Sequence, residues 1–166
     1  MPESSFANPV TWVSLAPLLA LLGSLVNGLF GRRLREPTPA YVATAMVAAG
    51  FLLSLLAFFA LLGDPQRAAS VTLWEYLSAG TFSLTLGFTL DQLSLLLALV
   101  ITGVGLLIHL FSIGYMRGDD GYSRYFSALN LFVAAMLVLV LADNYLLMFV
   151  GWEGVGVCSY LLIGFW

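Results

Sequence analysis

Long apolar runs broken by short polar stretches dominate this chain. A helix rising about 1.5 Å per residue needs about 20 apolar residues to cross the hydrocarbon core of a bilayer. Residues 10–30 and 41–62 reach that length without a formal charge, and 93–116 does so with one interruption, His109. Residues 125–142 form a shorter uncharged span, and 145–166 a fifth that carries Glu153. The pattern predicts five transmembrane helices. The link at Asp143-Asn144 is so short that spans four and five must lie side by side as an antiparallel pair.

Between spans two and three the period changes. Phe82, Leu84, Leu86, Phe88 and Leu90 alternate with Ser83, Thr85, Gly87 and Thr89, a period of two. With residues 71–77 and the turn Ser78-Ala79-Gly80, this predicts a two-stranded hairpin. A lone hairpin is marginal in water, so it is expected to lie over the outer ends of the helices or against a neighbouring subunit. The fold class is therefore an all-α integral membrane protein with a small outer-side β-hairpin. Residues 1–62 hold the first two helices, 63–90 the hairpin loop and 91–166 the remaining three.

Composition sharpens this picture. Of 166 residues 61% are hydrophobic and 9% charged, where a soluble domain has about 25% charged. Six arginines face nine carboxylates and there is no lysine, which excludes nucleic-acid binding through a basic surface. Cys158 is the only cysteine, which excludes a disulfide-stapled secreted module. The first span is too long for a cleaved signal peptide, and its leader holds Glu3 and no positive charge. Arg32, Arg33, Arg35, Arg117 and Arg124 fall in loops on one face and Arg67 alone on the other. That bias places the two arginine-rich loops inside and the N-terminus outside. The chain stops at Trp166, at the end of an apolar helix with no polar tail, which reads as a truncated end.

Chemistry then rests on few residues. No Cys-x-x-Cys, paired histidines or dinucleotide fingerprint is present, so no cofactor or metal is expected on this chain. Residues 154–159 only approach a glycine fingerprint; they follow no strand and fit helix packing through small residues better. Glu153 lies about 12 Å along its helix, well inside the hydrocarbon layer. A carboxyl there costs roughly 2.5–3.5 kcal/mol, so it must face protein or water. A carboxyl whose proton affinity a movable partner sets is what a proton relay needs; the alternative is a hydrogen bond that merely holds helices together. Gly156, Val157, Tyr160 and Gly164 share its stripe. Tyr160 offers a hydroxyl for relay or simply packs in the core. His109 can change charge near neutral pH, although an interfacial hydrogen-bonded histidine is the simpler reading. Asp91 fits a helix N-terminal charge. Arg117, Asp119, Asp120 and Arg124 make a solvated inner turn, and Trp152 is read as packing.

The run from Asn144 to Trp166, with Trp152-Glu153-Gly154-Val155-Gly156 at its centre, resembles the glutamate-bearing helix of an antiporter-like subunit of respiratory complex I. The family is subunit L of bacterial NADH-quinone oxidoreductase, subunit 5 in mitochondria. Phe88 to Ser94, His109, Tyr115-Met116-Arg117 and Tyr122 to Phe126 are similar to its third helix and the junction that follows. The resemblance implies a proton-translocating subunit of the bacterial inner membrane, with residues from 91 onward beginning the translocating domain and Glu153 as the proton-carrying acid. In that family this glutamate pairs with a lysine of the seventh helix. It further implies that NADH, FMN, iron–sulfur clusters and quinone sit in partner subunits, and that the partners are other complex I membrane subunits, above all a neighbouring antiporter-like one, and the lipid bilayer. Two alternatives remain: a subunit of a multi-subunit sodium/proton antiporter, which usually differs after the Trp-Glu pair, and a non-transporting membrane scaffold.

Overall fold

The computed structural model describes residues 9–62, 69–79 and 82–166. The leader with Glu3, Arg67 and the turn residue Gly80 lie outside the described residues. Five helices follow the five apolar runs: α1 Pro9–Phe30, α2 Thr38–Leu62, α3 Gln92–Tyr115, α4 Tyr122–Leu141 and α5 Tyr145–Ile163. All five are long and apolar enough to cross a membrane. A 3-10 turn, Gly31–Arg33, joins the first two.

Side chains are distributed as in a bilayer rather than in water. Leu29, Leu107, Phe111 and Phe59 are exposed, whereas Ser24, Asn27, Ser54, Thr102, His109 and Asn130 are buried. Lipid solvates the leucines, and the polar groups turn inward to find partners. Several close on their own helix: the Thr102 hydroxyl donates to the Ala98 carbonyl at 2.7 Å, and Ser54 to Gly50 at 2.9 Å. The chain is a multi-pass membrane protein.

Helix α4 is the hub, packing against each of the other four, while α1 also packs on α2 and α2 on α3. Small residues allow these approaches: Ala16, Ala20, Ala43, Ala57, Ala98 and Ala134 are all buried. Polar ties fix the register. The Ser127 hydroxyl donates to the Ser24 carbonyl at 2.8 Å, which leaves the Ser24 hydroxyl to donate to Ser127 Oγ at 3.2 Å across α1 and α4. Asn27 Nδ2 donates to the Pro39 carbonyl at 2.9 Å across α1 and α2.

The hairpin is present, with β1 Ala69–Ala79 antiparallel to β2 Phe82–Leu90. The register slips between Thr72 and Trp74 and again between Glu75 and Leu77. These two irregularities let an 11-residue strand pair with a 9-residue one. Phe88 and Leu90 reach the main apolar core with Val13, Leu61, Leu95 and Leu141. Phe88 bridges Ala142, and the Asp143 amide donates to the Gly87 carbonyl at 3.2 Å. The hairpin thus sits on one end of the bundle, held at the α4–α5 link.

At the other end the Gly118 amide donates to Glu36 Oε2 at 3.2 Å, tying the two arginine-bearing loops together. Gly118 has φ +83°, a left-handed conformation that glycine adopts without strain and that turns the chain from α3 into α4. Asp119 accepts from the Gly121 amide at 2.7 Å and from the Trp166 indole at 3.0 Å. These two bonds, the Gly121 amide foremost, hold its carboxyl below the usual range. The Arg124 guanidinium lies 4.9 Å over the Phe165 ring.

Candidate functional site

The two intramembrane ionisable residues singled out in the sequence fall in opposite settings. Glu153 stands on α5, whose start is set by Asn144: its side-chain oxygen accepts from the Leu147 amide at 2.9 Å. One face of α5 closes tightly on α4. Gly151 is buried, and a Cβ there would lie 2.6 Å from the Leu139 backbone nitrogen. Gly154 faces Ala135, and Cys158 is fully buried.

Glu153 is on the other face. It is exposed, together with Gly156, Val157 and Tyr160, as the helical spacing predicts. No side chain among the described residues hydrogen-bonds it. Two packing expectations are corrected here: Trp152 is 68% exposed and Tyr160 79% exposed, so neither belongs to the core of this chain. Helical spacing groups the residues of α5 by face but did not reveal which face would close on α4. Tyr160 instead borders a groove of about 340 Å³ between α4 and α5, alongside Arg124, Ser127 and Leu131.

His109 is buried within the bundle and hydrogen-bonded. It sits six residues before the end of α3, about 9 Å from that end, with no exposed surface. Its Nδ1 lies 2.7 Å from the Gly105 carbonyl oxygen and its Nε2 2.7 Å from Asn130 Oδ1. The Phe126 ring stands 6.1 Å from the imidazole. One turn further on, Ser112 shares a 3.0 Å hydrogen bond with the Tyr125 hydroxyl. Sequence reasoning missed Asn130. An amide inside an otherwise apolar helix is the signal that could have found it, since such a group needs a partner in hydrocarbon.

Asp91 has a structural place. Asp91 caps α3: its Oδ1 accepts from the Ser94 amide at 2.7 Å, and its own amide donates to Ser94 Oγ at 2.8 Å. The Ser94 amide and then the Ser94 hydroxyl hold this carboxyl below its ordinary range. Among the described residues no three His, Cys, Asp or Glu side chains gather as metal ligands. The structure does not bring His109, Glu153 and Tyr160 together as one cluster: His109 lies in the α3–α4 interior, and the other two on the open face of α5.

The family model for the N-terminus of chain 5 of NADH-ubiquinone oxidoreductase (complex I) matches residues 74–126. The chain is 44% identical over 154 residues to NADH-quinone oxidoreductase subunit L of Escherichia coli, covering 93% of this chain and 25% of that protein. It is 40% identical over 149 residues to NADH-ubiquinone oxidoreductase chain 5 of Hypocrea jecorina, covering 90% of this chain and 21% of that one. Among solved structures, the Mrp complex from Dietzia sp. matches with a TM-score of 0.70 and 28% identity, over 91% of this chain and 16% of the matched chain. The chain spans about a quarter of the length of the relatives it matches. By sequence, most of this chain matches a part of NADH-quinone oxidoreductase subunit L and NADH-ubiquinone oxidoreductase chain 5.

Proposed function

We propose that this chain works as part of a membrane subunit of a proton-pumping NADH:quinone oxidoreductase, with Glu153 as the acid that takes up and releases the proton. The observation that carries the reading is a carboxyl at membrane depth on a helix face that the rest of this chain leaves open. A carboxyl there is costly unless a partner or water reaches it, and that cost makes its protonation state responsive to what approaches. The chain has no lysine, so a cationic partner for Glu153 comes from outside these 166 residues or is an arginine. Tyr160, seven residues on and on the same face, is placed to extend a hydrogen-bonded path toward Arg124 and the inner end. His109 serves as a second proton-handling group within the α3–α4 interior.

On this reading the segment from residue 91 begins the translocating domain. The electrons travel elsewhere: NADH, FMN, iron–sulfur clusters and quinone belong to partner subunits, and a neighbouring antiporter-like subunit is the closest partner. The location is the inner membrane of a bacterium, with the N-terminus and hairpin outside and the arginine-bearing loops inside, following the charge bias.

A second reading, a subunit of a multi-subunit sodium/proton antiporter, is favoured by the fold match to the Mrp complex. The experiment is Glu153→Gln in the assembled complex, comparing proton uptake by sealed vesicles with NADH oxidation by an artificial acceptor. We expect proton movement to fall at least about tenfold, a barrier change of about 1.4 kcal/mol or more, with artificial-acceptor activity kept. Unchanged pumping would refute the role of Glu153. Sodium-dependent transport without NADH oxidation would select the second reading.

A further inference from the structure

A carbonyl oxygen only accepts, so the 2.7 Å contact between His109 Nδ1 and the Gly105 carbonyl requires a proton on Nδ1. Proton exchange is thereby confined to Nε2, which faces Asn130 at 2.7 Å. With Oδ1 toward Nε2, the amide accepts from a ring protonated on both nitrogens. Asn130 Nδ2 is then buried without a partner. Turning the amide half a revolution exchanges its oxygen and nitrogen within the same outline. Nδ2 then donates to the lone pair of a neutral Nε2, and Oδ1 takes the unpartnered place.

Gly23 leaves the room for that amide, since a Cβ on Gly23 would collide with Asn130 Nδ2. The surroundings are polar as well. Asn27 Oδ1, one turn along α1 from Gly23, and Thr44 Oγ1 on α2 are also buried without partners. Asn27 on α1 and Asn130 on α4 thus each leave one amide atom unpartnered, and Asn27 lies toward the end that holds the arginine-bearing loops.

We infer that Asn130 is a reversible hydrogen-bond partner whose amide turns as His109 Nε2 gains or loses a proton, making the pair a proton-holding site distinct from Glu153. Nε2 takes its proton from a protonated water, leaving neutral water, and the imidazolium returns it to water in the reverse step. Few other groups can titrate here: α4 brings Tyr122 and Tyr125, the latter bonded to Ser112; α2 has only Tyr41, at its start; and α1 has none. Asn130 touches no reacting bond and acts as a positioning residue. This inference does not rest on the role proposed for Glu153.

His109 is the only histidine in these 166 residues, and the difference between histidine-selectively 15N-labelled protein and its His109→Gln variant reports it alone. Solid-state NMR of the chain in lipid bilayers, titrated from about pH 9 to about pH 5, reads the protonation of each ring nitrogen. We expect a neutral ring with the proton on Nδ1 at the basic end and a reversible conversion to the doubly protonated ring on acidification. Asn130→Asp should hold the doubly protonated ring over the whole range. Asn130→Leu should reduce its fraction at the acidic end at least about tenfold. A neutral ring protonated on Nε2, or one ring state throughout, would overturn the inference. Should either variant fail to fold, the titration of the unsubstituted chain still decides. The readout requires no turnover, so it stands or falls separately from Glu153.

Discussion

His109 and Glu153 are both ionisable groups in apolar helices, yet the chain treats them in opposite ways. His109 has both ring nitrogens within 2.7 Å of a partner and no exposed surface. Glu153 lies on the exposed face of α5, whose opposite face is pressed onto α4 through Gly151, Gly154 and Cys158. The first group finds its partners within the chain; the second finds none among the described residues. Hydrocarbon supplies no hydrogen bonds, so a buried polar group must be matched locally or by a neighbour. His109 shows the local solution.

The most disruptive way to break this comparison is to open the closed face of α5. Gly151→Leu would drive a side chain into the Leu139 backbone, which cannot rotate away as a side-chain tip can. We expect α5 to leave α4 and the folded chain to be lost, read as vanished cooperative melting in detergent and protease cleavage near residues 142–144.

His109→Ala comes next. It leaves a cavity and frees both the Gly105 carbonyl and Asn130, so it should lower stability by about 3 kcal/mol in equilibrium unfolding. An effect below about 1 kcal/mol would mean that the bonds drawn to the ring do not hold the bundle together.

Asp91→Ala should cost about 1 kcal/mol by removing the cap of α3. Its pH dependence has a definite sign. The folded carboxyl titrates below its ordinary value of 3.8, so its contribution is complete above that value. The contribution is lost as pH falls through the folded value. The gap between Asp91→Ala and the unsubstituted chain should therefore be constant at neutral pH and shrink only in strong acid. A gap that shrinks between neutrality and about pH 5 would contradict this assignment of the cap.

The smallest effect sharpens the contrast. Glu153→Gln should change the stability of this chain by less than about 0.5 kcal/mol, because no described residue bonds the carboxyl. A large loss would show that the carboxyl holds helices together within the chain itself.

Much of this was legible in the sequence because hydropathy and period report directly on it. The five apolar runs became five helices, with ends displaced by a few residues. The alternation from Phe82 to Leu90 became β2 along its whole length. Strand β1 extended past the expected 71–77 and took in Ser78 and Ala79 of the expected turn, because Ala69 and Ala79 still pair with Leu90 and Phe82. The placement of Glu153, Val157 and Tyr160 on one stripe followed from helical geometry alone. What the stripe would face did not, because helical geometry fixes which residues share a face and not what packs on it. The packing of α1 on α4 was also hidden, since contacts between helices distant in sequence leave no periodic trace. Asn130 escaped notice because it carries no charge, although an amide in hydrocarbon needs a partner as an acid does.

The central claim is that Glu153 takes up and releases a proton. Difference infrared spectroscopy of the assembled complex during NADH-driven turnover tests it most directly, with Glu153→Gln as the control. We predict a protonated-carboxyl C=O band that rises or falls on turnover and is absent from Glu153→Gln. The same band persisting in Glu153→Gln, or no carboxyl change in the unsubstituted complex while it pumps, would contradict the account.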